Sequence, residues 1–288
     1  MVNASFMFGT GVERVAFFIL LKVCLLTLSM KGLTNLGNTC YFNCALQCLL
    51  QTPILSNYFI KHPYVGECKF TMEYSAFVKK YWTDGETKVE NPKMLLQSFR
   101  KKFKQFDNCQ EQDAQEALMC ILDILEHSVP NVKSMFYGTL DKQVIYPGGK
   151  SITQEKFGPL MLMPESQGTL TSMIDKHFGD TVIEGYQDDN GKTYNVAVMK
   201  QSISSRPPIL LFSINMFIRK YAIEVPLEYN GYSLYACSIH MGSVRSGHYI
   251  SFTKHKGKWY LKDDTMLKQV EAPPTKAPFY ICMYKEGC

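Results

Sequence analysis

A cysteine that opens a helix and a histidine that opens a strand are the residues here best suited to covalent chemistry. Cys40 sits in Gly32-Leu-Thr-Asn-Leu-Gly-Asn-Thr-Cys40-Tyr-Phe-Asn, where Asn38 or Thr39 can cap a helix ending before Pro53. At the first helical turn, unpaired N–H groups and the positive end of the dipole favour thiolate over thiol, lowering a pKa ordinarily near about 8.5. The preceding glycines permit tight backbone geometry, and the Cys40 N–H can donate to an oxyanion. A small buried hydrophobe is the plainer reading of any cysteine. On this helix alone the two readings stand even.

The second element lies far along the chain. Gly247-His248-Tyr-Ile-Ser-Phe252 puts a histidine after a glycine at the head of an alternating segment. Trp259-Tyr-Leu-Lys-Asp263-Asp264 follows across the short turn Lys256-Gly257-Lys258. Adjacent antiparallel strands would set Asp263 beside His248. A carboxylate there fixes the imidazole tautomer, and the imidazole can then take a thiol proton. A lone histidine is more often structural, but an acid partner and a helix-start cysteine weaken that reading.

The elements that must position these residues indicate an α+β fold, with helices first and strands later. Phe42, Ala45, Leu46, Leu49 and Leu50 form one apolar stripe at helical spacing after Cys40. A second helix is expected from about Glu111 to His127, with Ala114, Ala117, Leu118, Ile121, Leu122 and Leu125 as its stripe and Pro130 closing it. Beyond about residue 135 the pattern becomes β. Gln143–Tyr146 and Thr193–Met199 read as strands, with Asp189-Asn190-Gly191 as a hairpin turn. Ile209–Ile214, Tyr232–His240, His248–Lys254 and Lys258–Leu261 follow as strands.

Bulk composition narrows the classes. The 31 basic and 26 acidic residues leave a charge of +5 with no long like-charged run, which gives a nucleic-acid role little support. The longest basic cluster, Arg100-Lys101-Lys102 with Lys104, reads as a solvated helix face. Ten cysteines without one CxxC pair suit reduced thiols in the cytoplasm or nucleus, and supply no evident zinc ligands; no metal or cofactor is expected. Residues Val15–Met30 are strongly apolar but short for a span, and Lys22 sits mid-run. A packed N-terminal helix or misassigned leader ranks first, a signal-anchor with membrane contact second, a cleaved signal third.

GLTNLGNTCYFNCALQCLL resembles the cysteine box of the ubiquitin-specific proteases, and SGHYISFTKHKGKWYLKDD resembles their histidine box. Glu111-Gln-Asp-Ala-Gln-Glu116 resembles the family's QQDA-type motif, so three ordered matches span residues 32–264. The resemblance implies a deubiquitinating thiol protease that cuts after the C-terminal Gly-Gly of ubiquitin, on a papain-like hand. The thumb would cover about residues 32–134, the fingers about 135–206 and the palm about 207–288. Cys40 matches the nucleophile, His248 the base, Asp263 the triad acid, and Asn35 an oxyanion donor, with Asp264 in support. Asp113 matches the acid that holds the basic ubiquitin tail; Gln115, Gly247 and Tyr249 fall beside the same tail. Ubiquitin and ubiquitinated proteins are the implied partners, and nothing demands more than a monomer. Alternatives are a ubiquitin-binding pseudoenzyme and a protease for another modifier ending in two glycines.

Departures from the family pattern shape further expectations. Where many relatives carry zinc-binding CxxC pairs in the fingers, this chain has Tyr146-Pro-Gly-Gly149 and the stretch Tyr194 to Ala197. The fingers should therefore be held by strand packing. The loop after the strand expected at Ile209–Phe217 is short, with Met216-Phe217 where relatives have Arg-Phe. The other tail-covering loop, His240 to Gly247, is present, with His240 as a structural histidine.

Overall fold

The computed structural model describes residues 30–84, 88–216, 218–243 and 246–287. The apolar stretch 15–29 lies outside the described residues, as does Phe217. No helix among the described residues is long and apolar enough to cross a membrane.

Strand β1 (Gly32–Leu33) leads into α1 (Cys40–Leu50), α2 (Pro53–Lys61) and α3 (Lys69–Thr83). After β2 (Val89–Glu90) come α4 (Lys93–Lys102), α5 (Ala114–Ser128) and the short α6 (Lys133–Phe136). The helix expected from Glu111 starts at Ala114 instead. Asp113 is extended, and its carboxylate accepts from the N–H groups of Gln115 at 2.6 Å and Glu116 at 3.1 Å, fixing the start. Pro130 opens a further single turn of 3-10 helix, 130–132.

Two hairpins follow, β3 (Gly138–Tyr146) with β4 (Gly149–Phe157), and, after β5 (Leu160–Leu162), β6 (Gly168–Thr169) and α7 (Leu170–His177), β7 (Thr181–Gln187) with β8 (Thr193–Ser205). They join through β3 and β8 into a four-stranded finger sheet. Its far end is closed by aromatic rings, with Tyr146 lying 5.0 Å from Tyr186 and 4.8 Å from Tyr194, centroid to centroid. Tyr194 donates to Asp188 at 3.2 Å. The turn 188–192 does join the hairpin, with Gly191 at a φ of 81°.

The chain then enters the palm through β9 (Ile209–Ile214), β10 (Ile223–Glu224), β11 (Glu228–Tyr229), β12 (Tyr232–Gly242), β13 (Gly247–His255), β14 (Lys258–Asp263), β15 (Met266–Val270), β16 (Lys276–Ala277) and β17 (Phe279–Glu286). The main sheet runs β15-β14-β13-β12-β17-β9-β5, with β11 paired beside β12. Helix α1 lies between this sheet and α5. Every residue of α1 is buried, so the single apolar stripe read from sequence understates it. Gln47, the one long polar side chain in its middle, is met by buried partners: its amide donates to the Lys31 carbonyl at 2.9 Å, and its oxygen accepts from Tyr81 at 3.0 Å and Lys262 at 2.7 Å.

Candidate active site

The approach to Cys40 is shaped by one side chain. Asn35 Oδ1 accepts from Gly37 N–H at 2.9 Å and from the Thr39 amide and hydroxyl at 3.3 and 3.2 Å. Asn38 takes a left-handed φ of 49° and ties Nδ2 to the Cys109 carbonyl at 2.8 Å. Thr39 holds the cap position, but its hydroxyl accepts from Leu36 N–H at 2.8 Å and does not cap the helix. Cys40 thus opens α1, where amide hydrogens lack intrahelical partners. The resting thiol differs from the sequence expectation. Burial pushes its pKa up, with the Asp264 carboxylate adding to this, while backbone N–H groups of Tyr249 and Tyr41 pull it partly back. Low dielectric around the sulfur outweighs the helix terminus, so the thiolate must be generated by a base.

His248 lies on β13, the strand that packs against α1. Its Nε2 meets Asp263 Oδ1 at 2.6 Å. Ser251 opposes Lys262 in the β13–β14 register, so His248 and Asp263 are diagonal neighbours and not directly opposite. The carboxylate spans that diagonal. Asp264, at a left-handed φ of 47°, stands 4.0 Å from the same Nε2. Its oxygens accept from Asn35 Nδ2 and Asn43 Nδ2, each at 2.7 Å, and its carbonyl accepts from Leu33 N–H at 2.7 Å. One residue therefore joins the acid turn, the loop before Cys40 and helix α1. Gly32 crosses this turn so closely that a Cβ would lie 2.4 Å from the Thr265 carbonyl. His248, Asp263 and Asp264 come within 4.8 Å of one another, the separation of a metal cage, but these donors are already engaged as described.

The flanking residues divide. Asp113 is held by its cap bonds, and burial pushes its carboxyl pKa up. Gln115 is buried; its oxygen accepts from Ser213 at 2.6 Å and its amide donates to the Ile214 carbonyl, fastening α5 to β9. The side chain expected to touch a bound tail is therefore spent inside the protein. Tyr249 is also buried, its ring 4.3 Å from His240 and 5.4 Å from Tyr280. His240 is structural as expected: burial, with the Lys220 cation adding, drives its pKa to about 4 and keeps it neutral. Gly247 has no room for a side chain, since a Cβ would stand 1.9 Å from the Met241 carbonyl.

A family profile described as ubiquitin carboxyl-terminal hydrolase matches residues 31–284. The chain belongs to that family. Ubiquitin carboxyl-terminal hydrolase 4 of Mus musculus is 37% identical over 116 residues, covering 37% of this chain and 12% of the relative. Ubiquitin carboxyl-terminal hydrolase Usp2 of Drosophila melanogaster is 25% identical over 325 residues, covering 88% of this chain and 34% of the relative. The chain thus spans only 12% and 34% of the length of these curated relatives. The SAGA Ubp8/Sgf11/Sus1/Sgf73 DUB module bound to ubiquitin aldehyde superposes with a TM-score of 0.77 at 19% identity, over 97% of this chain and 77% of that one. The fold is that of a ubiquitin-specific protease, with a helical thumb, a β palm and reduced β fingers.

Within this family frame, several positioning residues escaped the sequence reading. Glu111 accepts from Gly247 N–H at 2.7 Å and from the Ser246 hydroxyl at 3.2 Å, pinning the first residue of β13, next to His248, to the segment before α5. Lys220 donates to the carbonyls of His240 at 3.0 Å and Gly242 at 2.8 Å, joining the two loops beside the site. Asn43 is one turn after Cys40, a spacing that could have flagged it; Glu111 opens the Glu111–Glu116 motif, which could have flagged it too, and Lys220 carries no local signal.

Proposed function

We propose that the chain hydrolyses the isopeptide or peptide bond after the C-terminal Gly-Gly of ubiquitin, using Cys40 as nucleophile. The observation that carries this reading is the His248–Asp263 contact at 2.6 Å on strands packed against the helix that Cys40 opens. His248 Nδ1 takes the thiol proton, and the resulting imidazolium is stabilised by Asp263 through Nε2. The thiolate attacks the carbonyl after Gly-Gly, forming a tetrahedral intermediate whose oxyanion meets the Cys40 N–H and the Asn35 amide. His248 returns the proton to the leaving amine, leaving a thioester at Cys40. Water, activated by His248, then releases ubiquitin and restores the thiol.

Asp113, and Gly247 and Tyr249 through their backbone, line the approach for the tail; the Asp113 carboxylate offers an arginine of that tail a charge-assisted contact. Ubiquitinated proteins are the substrates, and a monomer suffices. Thumb, fingers and palm are taken as about 32–134, 135–206 and 207–288. The free cysteines, five of them buried, suit a reducing cytoplasmic or nuclear setting. The test reacts the protein with ubiquitin bearing a thiol-reactive C-terminus, beside Cys40→Ser. An adduct on the native chain alone supports the reading. A folded protein that binds ubiquitin without an adduct is a pseudoenzyme, and an adduct only with another modifier reassigns the substrate.

A further inference from the structure

The fold buries an amine that the mechanism does not use. Lys262 immediately precedes Asp263 and is only 2% exposed. Its Nζ donates to Gln47 Oε1 at 2.7 Å and to the Tyr81 hydroxyl at 3.2 Å, and lies 5.7 Å from the Tyr81 ring centroid. No carboxylate among the described residues lies within ion-pair distance of it. A buried ion pair, Lys31 with Glu90 at 2.8 Å, adjoins this cluster, the Lys31 carbonyl accepting from Gln47 and Tyr81. A long basic side chain in such a place costs the fold heavily, so its retention asks for a reason.

Position supplies one. Cys40, Asn43 and Asp264 line the same narrow gap as Lys262, and that gap admits no water. Gln47 stands two turns after Cys40 on one helix, while Lys262 directly precedes Asp263, the last residue of β14, with Asp264 just beyond. The Nζ–Oε1 bond therefore ties the strand bearing the base's partner to the helix bearing the nucleophile. We propose that Lys262 is a positioning residue that locks these two elements together and, as a cation beneath the site, favours the Cys40 thiolate. Burial draws its pKa down from 10.5 to about 7, so the charge is full below neutrality and lost above it. The other titratable groups facing it are Cys44 and Cys48 on α1 and Tyr81 on α3; burial holds Cys44 and Tyr81 well up, so they stay neutral over the range that matters.

The inference rests on Cys40 being the nucleophile, so the experiment reads Cys40 without ubiquitin. The rate of Cys40 alkylation by iodoacetamide, site-resolved by mass spectrometry, is measured from pH 5.5 to 9.5 in the native chain, Lys262→Met and Gln47→Glu. With an effective dielectric near 20, the native rate should exceed that of Lys262→Met by roughly three- to tenfold at pH 6. The two should converge by pH 9, where the amine is neutral. A ratio constant with pH would mean packing alone and would overturn the proposal, as would superimposable profiles. Gln47→Glu places a carboxylate against the amine and should carry the convergence at least one pH unit higher; an unmoved profile there overturns the proposal even if Lys262→Met fails to fold. A failed ubiquitin adduct beside a normal alkylation profile would count against the substrate assignment and leave this one standing.

Discussion

Replacing Asp264 tests how far the site depends on one bridge. Asp264→Ala removes the acceptors of two amide hydrogen bonds of 2.7 Å, from Asn35 and Asn43, at a side chain 14% exposed. Charge-assisted bonds contribute about 1.5 kcal/mol each at the lower end, so the pair amounts to about 3 kcal/mol. Alanine also fits the left-handed φ of 47° less well than aspartate, which adds about 1 kcal/mol. A domain of this size loses about 2–4 °C per kcal/mol, giving a melting temperature roughly 10 °C lower. Asp264→Asn tolerates the same backbone and retains one acceptor, so its loss should be about a third of that. Releasing Asn35 also loosens the oxyanion donor, and adduct formation with the thiol-reactive ubiquitin should slow by roughly 10–100-fold in Asp264→Ala. Differential scanning calorimetry and single-turnover labelling give both quantities. If both variants melt within about 1 °C of the native protein, the bridge contributes nothing and the reasoning fails.

Other expectations follow from the same geometry. Gly247→Ala drives a methyl into the Met241 carbonyl, and should abolish labelling while lowering the melting temperature, measurable on one preparation. The folded pKa of Asp113 lies above its unfolded value because of burial, so ionisation costs stability above the acid range and the cost vanishes as pH falls below the unfolded value. Asp113→Asn keeps a cap oxygen and should match or exceed native stability at pH 7 while raising KM for a ubiquitin–coumarin substrate; an unchanged KM removes Asp113 from tail binding. Lys262 has the opposite polarity: its folded pKa of about 7 against 10.5 unfolded means stability declines as pH falls between those values and levels off below. Lys262→Met should therefore melt higher than the native chain, by a margin that widens from pH 10 to pH 7. Dialysis against a chelator should leave thermal unfolding unchanged, because rings close the finger tip; a drop of several degrees would expose a metal there.

The parts of this protein that were legible in its sequence are those where local pattern and tertiary demand coincide. Ile209–Ile214 reads as a strand from its apolar run and is one; it ends at Ile214, short of the longer bound at Phe217 also expected. The spacing of Cys40 and the pairing of His248 with Asp263 were readable because glycines, turns and alternation set them locally. The ionisation of Cys40 was not, because burial comes from α5 and the palm sheet closing over the sulfur, which no window around residue 40 contains. The same reason hid Gln115, whose helix-face position gave no hint that Ser213 and Ile214 would consume its amide. It also hid Lys262, which in a strand ending in two acids reads as an ordinary exposed lysine.

Strand order carries a consequence for synthesis. Residues 279–286 form β17, which lies in the interior of the palm sheet between β12 and β9. Asn35 and Asp264 meet across 229 positions of chain. Synthesis must therefore have passed residue 286 before this sheet can close. Until then β12 and β9 lack the strand that joins them, and the sheet that carries His248 and Asp263 is incomplete. The proposed proteolytic activity would arrive together with the completed sheet, so labelling of Cys40 by thiol-reactive ubiquitin would report that β17 has been threaded into place.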